Sequence, residues 1–344
     1  MEMSRGWAHT AFPIDDASRI GEARRFAAGL GATLEWGEVD AGRLALVVTE
    51  LATNLLRHAR GGRLLIAVRP VQHDVEVIAI DDGPGIADVS AALRDGFSSG
   101  SGSPGLGLGS VRRLASDFDL HSTLATDRSP GGTLCVARVR RKGADAPSAD
   151  RVRVGAISLS APGETVCGDG WAVALTGSGA SLLLADGLGH GPEAARASSA
   201  AADVFLAGPF GDIAATLAEM DNALQTTRGA AVCCLRLSGD EVRCAGAGNV
   251  LVRLVSGVFD KGMATQHGTV GLQIRKTQET VQALPMHALA IVHSDGIASR
   301  WDPLRIRPLL DRDPTLIAAL LLRDHTAHAA HSDDATVVVL RRPA

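Results

Sequence analysis

Hydrophobic positions in the first part of the chain follow both the helical and the strand period. Residues 15–30 carry apolar side chains at helical spacing, and residues 38–59 do so with a wider apolar face, so both predict amphipathic helices. The remaining apolar runs predict a β-hairpin at 63–69 and 74–80, a short helix at 111–115 and a strand at 133–139.

The second part of the chain has strand-length runs, then two helical stretches, then strand-length runs again. The predicted strands are 152–159, 171–175, 182–185, 230–237, 241–245, 250–255, 289–293 and 336–340. The predicted helices are 192–206, 213–226 and 315–323. This order favours two packed sheets flanked by helices. Residues 142–151, between the two parts, lose the apolar pattern and collect Pro, Gly and charges, as a linker does.

Composition supports two folded domains and argues against several classes of partner. The chain has 344 residues, of which 46% are hydrophobic. Its 34 Lys and Arg nearly balance 38 Asp and Glu, and no basic run is concentrated enough to predict a nucleic-acid surface. Without a signal core or a run that could span a bilayer, we expect a cytoplasmic protein with no membrane partner.

Acidic residues stand at the edges of predicted strands throughout the second part. The set is Asp169, Asp186, Asp295 and Asp333, with Asp334 next to the last. A single Asp-Gly after a strand is usually only a turn, but four strand-edge aspartates are hard to explain as separate turns. Carboxylates brought together repel one another unless they hold a divalent cation, and oxygen ligands favour Mg²⁺ or Mn²⁺ over zinc. Two such ions can clamp a phosphoryl group for hydrolysis.

The ordered series Gly-Asp, Ala-Asp-Gly-x-Gly-x-Gly, Ser-Asp-Gly and Asp-Asp-Ala-Thr resembles the PPM class of metal-dependent serine/threonine phosphatases, in particular its SpoIIE and RsbX type. The resemblance covers about residues 151–344 and implies an α-β-β-α sandwich. It also implies two Mn²⁺ or Mg²⁺ ions, for which Asp334 is the weaker ligand of its adjacent pair. The implied ligands are Asp169, Asp186, the Gly187 carbonyl, Asp295 and Asp333.

One position departs from that family. Many eukaryotic relatives place a histidine directly after the Asp-Gly turn as a general acid, but this chain has Leu188 there. His190 lies two residues later and is interpreted as a turn residue, so leaving-group protonation is expected from metal-bound water or another group. His293 and His331 are assigned no role.

Three features of the first part suggest nucleotide chemistry. Glu50, Asn54 and His58 fall at i, i+4 and i+8 and therefore share one face of the predicted helix, a pattern that alone is more typical of a solvated edge. The second strand of the hairpin runs into Asp81-Asp-Gly-Pro-Gly. A glycine-rich loop containing Gly105, Gly107 and Gly109 then feeds a helix, which suits phosphate, although such loops are commonly flexible connectors.

In this order the three features resemble the GHKL ATPases, and most closely the RsbW and RsbT type of anti-sigma-factor serine kinase, over about residues 10–140. The resemblance implies that ATP is bound with Mg²⁺, that Glu50 acts as the base toward the acceptor hydroxyl, and that Asn54 is a Mg²⁺ ligand. It further implies nucleotide contacts from Asp81, Gly83, Gly85, Gly105, Gly107, Gly109 and Thr133. Sensor histidine kinases share these motifs, but there is no room for their acceptor helix before Glu50.

The prediction is an α+β protein with a GHKL-type α/β sandwich at residues 1–141, a linker at 142–151 and a PPM-type sandwich at 152–344. Its function is predicted to be a bifunctional switch: one domain phosphorylates Ser or Thr on a partner protein and the other removes the phosphate. The resemblance implies a STAS-domain anti-sigma antagonist or stressosome-like protein as partner, with an anti-sigma factor as a further possibility. Two alternatives stay open: a phosphatase regulated by nucleotide, and a module that sequesters a sigma-factor regulator without turnover.

Overall fold

The chain folds into two compact units, which a computed structural model describes over residues 1–59, 61–94, 107–126, 131–144, 151–177, 179–274, 277–285, 287–326 and 333–343. One unit is His9–Pro147, and the other combines Met1–Ala8 with Ser148–Ala344. The predicted start of the first domain at residue 1 is therefore corrected. The first eight residues belong with the second unit, because strand β1 (Glu2–Arg5) pairs with a strand of that unit.

The unit His9–Pro147 is an antiparallel sheet with helices. Its elements are β2 (Thr10–Pro13), α1 (Ala17–Thr33), α2 (Glu38–His58), β3 (Arg63–Arg69), β4 (Asp74–Ile80), α3 (Val89–Ala92), α4 (Leu108–Leu114), β5 (Asp117–Thr123) and β6 (Gly132–Arg140). The strand order is β2-β3-β4-β6-β5. The predicted helices and hairpin are confirmed, whereas β2 and β5 were not predicted.

Helices α1 and α2 pack together, and α4 packs on α2, to form the core of this unit with one face of the sheet. The apolar stripe of α2, which includes Leu44 and Leu51, is fully buried against alternate residues of β3 and β4 such as Ile66 and Val77. Asp16 caps α1 by accepting hydrogen bonds from the Ser18 and Arg19 amides. The periodic apolar face therefore determines how α2 lies on the sheet.

Over its described residues, the second unit contains two sheets, three α-helices and two short 3-10 helices. Its elements after β1 are β7 (Arg153–Leu159), β8 (Asp169–Leu175), β9 (Ala180–Gly187), α5 (Pro192–Ala207), α6 (Ile213–Leu224), β10 (Ala230–Ser238), β11 (Glu241–Ala247), β12 (Leu251–Val255), β13 (Asp260–Met263), β14 (Thr280–Ala283), β15 (Leu289–His293), α7 (Pro314–His325) and β16 (Ala335–Arg341). Every strand and helix predicted for this part is confirmed, and β13 and β14 are additional.

One sheet of this unit has the order β1-β8-β9-β10-β11-β14, and the other has the order β13-β12-β15-β16-β7. Helices α5 and α6 pack on the first sheet around Phe205 and Leu217, and α7 packs on β7 and β16 of the second. The helices thus flank the two sheets, as the strand and helix order predicted. Within the described residues, no helix combines the length and the apolar character needed to cross a bilayer.

Candidate functional site

Strand pairing brings the first two predicted metal ligands together. Asp169 is the first residue of β8, Asp186 is the next-to-last residue of β9, and the antiparallel register makes them direct partners across the two strands. Residues opposite each other on adjacent strands have β-carbons about 4.5–5.5 Å apart, and like charges in that position destabilise the pair. The register therefore places two carboxylates that repel each other at one end of the sheet.

The other two aspartates lie on turns at one end of the second sheet. β15 ends at His293 and β16 begins at Ala335, and the register pairs His293 with Val337. The Ser294 amide continues this pairing by donating to the Thr336 carbonyl at 3.0 Å. The turns that carry Asp295 and Asp333 consequently lie next to each other.

A serine that was not assigned a role links the two sheets at this point. The Ser294 hydroxyl donates to Asp169 Oδ2 at 2.7 Å and accepts from the Thr336 amide at 3.0 Å. The Asn249 side-chain amide likewise donates to Asp295 Oδ2. Ser294 and Thr336 belong to the quoted Ser-Asp-Gly and Asp-Asp-Ala-Thr motifs, so a signal for them was present. Nothing in the sequence singled out Asn249.

The electrostatics show that the carboxylates of this cluster interact. Burial raises the pKa of Asp186, and the charges of Asp169, Asp295, Asp333 and Asp334 raise it further. Burial also raises the pKa of Asp169, while hydrogen bonds from Ser294 and Thr336 oppose that change. Negative groups that raise one another's pKa in this way form a site for positive charge.

Asp334 differs from Asp333 in its surroundings. Asp334 is buried, its Oδ1 accepts from the Ala161 amide at 2.9 Å, and its Oδ2 is buried without a hydrogen-bond partner within the described residues. Asp333 is exposed, and its Oδ1 accepts from the Asp334 amide. Asp334 therefore holds the loop before β8. The charge of Asp333 raises the pKa of Asp186 and of Asp295, and the charge of Asp334 also raises that of Asp186.

The donor set fits a hard divalent cation. It consists of oxygen ligands that are partly desolvated and mutually repulsive. As the side chains lie, no three His, Cys, Asp or Glu residues among those the structure describes are grouped closely enough to hold an ion. The cluster thus has the chemistry of a metal site, while its carboxylates stand apart from one another.

The turn after Asp186 is built by glycines. A β-carbon at Gly187 would lie 2.2 Å from the Ala194 carbonyl oxygen, and Gly189 and Gly191 adopt φ values of +85° and +75°. Only glycine fits such a close approach, and these backbone angles also favour it. The turn thus brings the start of α5 close to Gly187, whose carbonyl is the predicted metal ligand.

Two side chains beside this turn, Glu164 and Arg228, were not singled out by the sequence. His190 Nδ1 lies 2.7 Å from Glu164 Oε1, so the ring of this turn residue is held in one orientation. The Arg228 guanidinium lies over the turn, 3.2 Å from where a β-carbon of Gly189 would be. Leu188 is exposed at the predicted general-acid position.

The predicted adenine-binding residues of the first unit are joined by hydrogen bonds. Asp81 Oδ1 accepts from the Gly83 amide at 2.7 Å and from the Thr133 amide at 3.2 Å. A β-carbon at Gly83 would lie 2.9 Å from the His58 carbonyl oxygen, and one at Gly85, where φ is +80°, would lie 2.1 Å from the Thr123 carbonyl oxygen. The end of α2, the turn after β4 and the start of β6 therefore meet around Asp81.

Glu50 and Asn54 lie one turn apart on α2, both partly buried. Burial raises the pKa of Glu50, and the charge of Arg57 only partly opposes this change. The Asn54 side-chain nitrogen is buried without a hydrogen-bond partner in the described part of the chain. A 180° rotation of the Asn54 side-chain amide exchanges its oxygen and its nitrogen. This buried position can therefore offer either a hydrogen-bond donor or an acceptor oxygen to a ligand.

The glycine-rich loop is only partly described. Gly105 lies outside the described residues, as does His331. Gly107 is the N-cap of α4 and Gly109 lies buried in its first turn, and α4 packs on α2, the helix that carries Glu50. The structure therefore brings Gly107 and Gly109 to the same helix pair as the predicted catalytic residue.

Comparison with known sequences supports the interpretation of the first unit. A family model for the histidine kinase-like ATPase domain matches residues 12–154. The serine/threonine-protein kinase RsbT of Bacillus subtilis (strain 168) is 36% identical over 104 residues, which are 29% of this chain and 76% of RsbT. The predicted resemblance to RsbT-type GHKL proteins is thereby confirmed.

Comparison with solved structures supports the predicted fold of the second unit. A chain of the bacterial stressosome, a modular system adapted to control secondary messenger signaling, aligns with a TM-score of 0.51 and 25% identity, over 55% of this chain and 99% of its own. RsbX in complex with magnesium aligns with a TM-score of 0.50 and 19% identity, over 58% of this chain and 98% of RsbX. Both alignments cover more than residues 9–147 contain, so the PPM-type fold is confirmed.

Proposed function

Because this chain belongs, through its first unit, to the family of RsbT-like serine/threonine kinases with a histidine kinase-like ATPase domain, we propose that it is a bifunctional switch protein. The first unit transfers phosphate from ATP to a Ser or Thr hydroxyl of a partner protein, and the second unit removes it. The observation that carries this proposal is the coexistence of an RsbT-like unit and a partly buried carboxylate cluster in one chain.

In the first unit Glu50 accepts the proton of the acceptor hydroxyl. Its raised pKa supports this role, because a carboxylate with a higher pKa is a stronger base at neutral pH. Asp81, whose Oδ1 accepts from the Gly83 and Thr133 amides, would accept from the adenine amino group. Asn54 would hold Mg²⁺, which neutralises phosphate charge when bound, and positioning supplies most of the remaining rate.

In the second unit the phosphorylated side chain is hydrolysed at the carboxylate cluster. Asp169, Asp186, Asp295, Asp333 and the Gly187 carbonyl would hold two divalent ions, Mn²⁺ or Mg²⁺. Such ions, when bound, polarise the phosphoryl group and neutralise its charge. The chain's own residues orient the ligands: Ser294 hydrogen-bonds Asp169, and Asn249 hydrogen-bonds Asp295. Removal of these bonds would leave the carboxylates less well positioned.

The proposed partner is a protein with a STAS domain. Similarity of this chain to a component of the bacterial stressosome and to RsbT supports that class. The partial burial of Glu50 favours catalysis over simple binding of a partner. A carboxylate that lay only on a solvated helix edge would stay hydrated, and its pKa would not be raised by burial. A phosphatase with a purely regulatory nucleotide site is the second candidate, and the test below separates it from the proposal.

The test is incubation of the purified protein with candidate STAS partners and ATP, followed by nucleotide removal and addition of Mn²⁺, with phosphoserine and phosphothreonine followed by mass spectrometry. We expect phosphorylation in the first step and its loss in the second. Glu50→Ala should slow the first step by about 10²- to 10⁴-fold and leave the second unchanged. Asp186→Asn should abolish the second step only.

Matched controls remove similar charges outside the sites. Glu38→Ala lies on the exposed first turn of the same helix as Glu50, and Asp240→Asn lies on the exposed β10–β11 turn. Both should behave as the unmodified protein. If the unmodified protein never phosphorylates the partner but removes phosphate from it, the regulatory reading replaces the bifunctional one. If Asp186→Asn keeps the full dephosphorylation rate, the phosphatase assignment is wrong.

A further inference from the structure

The first eight residues form the outer strand of the sheet that carries Asp169. β1 runs antiparallel to β8 with Glu2 opposite Leu175 and Arg5 opposite Ala172, and the Gly6 amide extends the ladder by donating to the Trp171 carbonyl at 2.6 Å. In chain order the whole unit His9–Pro147 is inserted between β1 and β7, the next strand of this unit. The sheet is therefore assembled from two segments that are distant in sequence.

Side chains anchor this strand more firmly than backbone pairing alone. Trp7 and Trp171 are 6% and 3% exposed, and their rings meet edge to face with centroids 4.6 Å apart. The Trp171 indole nitrogen donates to the Trp7 carbonyl at 3.3 Å. A β-carbon at Gly6 would lie 2.3 Å from the Trp171 ring, so only glycine permits the approach. Arg5 also forms an ion pair with Asp203 on α5.

β8 would be an edge strand of its sheet without β1. Its unpaired amides and carbonyls would then face solvent, and an edge strand is held in register from one side only. Trp171 is two residues after Asp169, which opposes Asp186 across β8 and β9. The end of β8 that carries Asp169 is therefore held by β9, by Ser294 and by the contacts of Gly6 and Trp7 with Trp171.

We propose that residues 1–8 are a positioning element of the carboxylate site: β1, Gly6 and Trp7 hold β8 in register and so hold Asp169 against Asp186. The edge of β8 is accordingly a binding surface for one extended segment, the Met-Glu-Met-Ser-Arg-Gly-Trp-Ala sequence of this chain. The effect of residues 1–8 on catalysis rests on the proposed phosphatase function, whereas their effect on the register of β8 does not.

The test uses full-length Gly6→Val and Trp7→Ala variants, with Trp7→Phe as the conservative variant. Met3→Ala is the matched control, because Met3 lies in β1 with a side chain that is 44% exposed. Amide hydrogen exchange of β8 is measured without metal, and Mn²⁺ affinity by calorimetry. We expect faster β8 exchange and about tenfold weaker Mn²⁺ binding in Gly6→Val and Trp7→Ala, with ATP affinity unchanged. Trp7→Phe and Met3→Ala should resemble the unmodified protein.

A second measurement covers the case in which these variants lose structure. A chain that lacks residues 2–8 is mixed with the synthetic peptide of residues 1–8, and we expect the peptide to bind and to restore β8 protection and Mn²⁺ affinity. A peptide with Gly6 replaced by Val should restore neither. Unchanged β8 exchange and Mn²⁺ affinity in Gly6→Val, or no restoration by the natural peptide, would overturn the inference. A protein without phosphatase activity whose β8 protection still depends on Gly6 would refute only the proposed function.

Discussion

Asp333 and Asp334 show how neighbouring residues of the same type take different tasks. Asp334 is buried and accepts from the Ala161 amide, whereas Asp333 is exposed and interacts electrostatically with Asp186 and Asp295. Burial raises the pKa of Asp334, since its charged form loses hydration. The surroundings thus make Asp334 a structural residue and leave Asp333 for the proposed metal site.

This contrast predicts separable effects of two substitutions. Asp333→Ala should weaken Mn²⁺ binding by at least about tenfold with little change in the free energy of unfolding, since the side chain is exposed. Asp334→Ala should lower the free energy of unfolding by about 1–3 kcal/mol, because the buried Ala161 amide loses its acceptor. Calorimetric Mn²⁺ titration and urea unfolding measure the two effects. If Asp334→Ala abolished Mn²⁺ binding and Asp333→Ala did not, Asp334 would be the metal ligand and Asp333 would not.

At the scale of elements, β3, β4 and β6 share a network of buried ion pairs that the apolar pattern of the strands does not predict. Glu76 opposes Arg138 across β4 and β6 and accepts from its Nε at 2.7 Å, while Arg69 makes a two-bond pair with Asp74. His9 Nε2 lies 3.3 Å from Glu76 Oε1. Because all these side chains are buried, each charge depends on its partner.

Glu76 therefore predicts a pH-dependent stability of the first unit. Burial alone would raise the pKa of Glu76, but the charges of Arg138 and Arg69 and the hydrogen bond with His9 lower it well below its ordinary value. A carboxyl whose folded-state pKa is depressed stabilises the fold above its unfolded-state pKa and loses that contribution as pH falls toward the folded-state pKa. Glu76→Gln should cost about 3–5 kcal/mol near neutral pH.

Urea unfolding between neutral and acidic pH checks this prediction. The difference between the unmodified protein and Glu76→Gln should be full above about pH 5 and shrink on acidification. Glu22→Gln breaks an exposed pair with Arg19 and should change stability by less than about 1 kcal/mol. Equal effects of the two substitutions would contradict the buried-network account.

At the scale of the whole molecule, the two opposing activities proposed for this chain predict a cycle. With ATP, Mn²⁺ and a partner present together, the unmodified protein should release ADP continuously, because each removed phosphate regenerates an acceptor. Asp186→Asn should release about one ADP per acceptor site and then stop, with the partner fully phosphorylated. Measuring released ADP and phosphorylated partner in the same reaction distinguishes these two outcomes. Continuous ADP release by Asp186→Asn would show that ATP hydrolysis does not pass through the partner.

The sequence predicted the main helices and strands with little loss. The hairpin at 63–69 and 74–80 and the strand at 289–293 occur with those bounds, because apolar period and turn residues are local properties. It did not predict β1, whose Glu-Met-Ser-Arg sequence lacks strand alternation. That strand forms because the edge of β8 offers partners. Ser294 lies in the Ser-Asp-Gly motif, but its bond to Asp169 depends on the other sheet, and Asn249 has no local signal for its role.

By itself, then, the sequence determined the identity of the chemical groups and the elements that carry them, since both are written in periodicity and in short motifs. Only the tertiary structure decided that Asp169 faces Asp186, that Ser294 reaches Asp169 from the other sheet, and that the first eight residues complete the second unit. The physical reason is that these relations depend on strand register and sheet packing. Both are set by contacts between segments far apart in the chain.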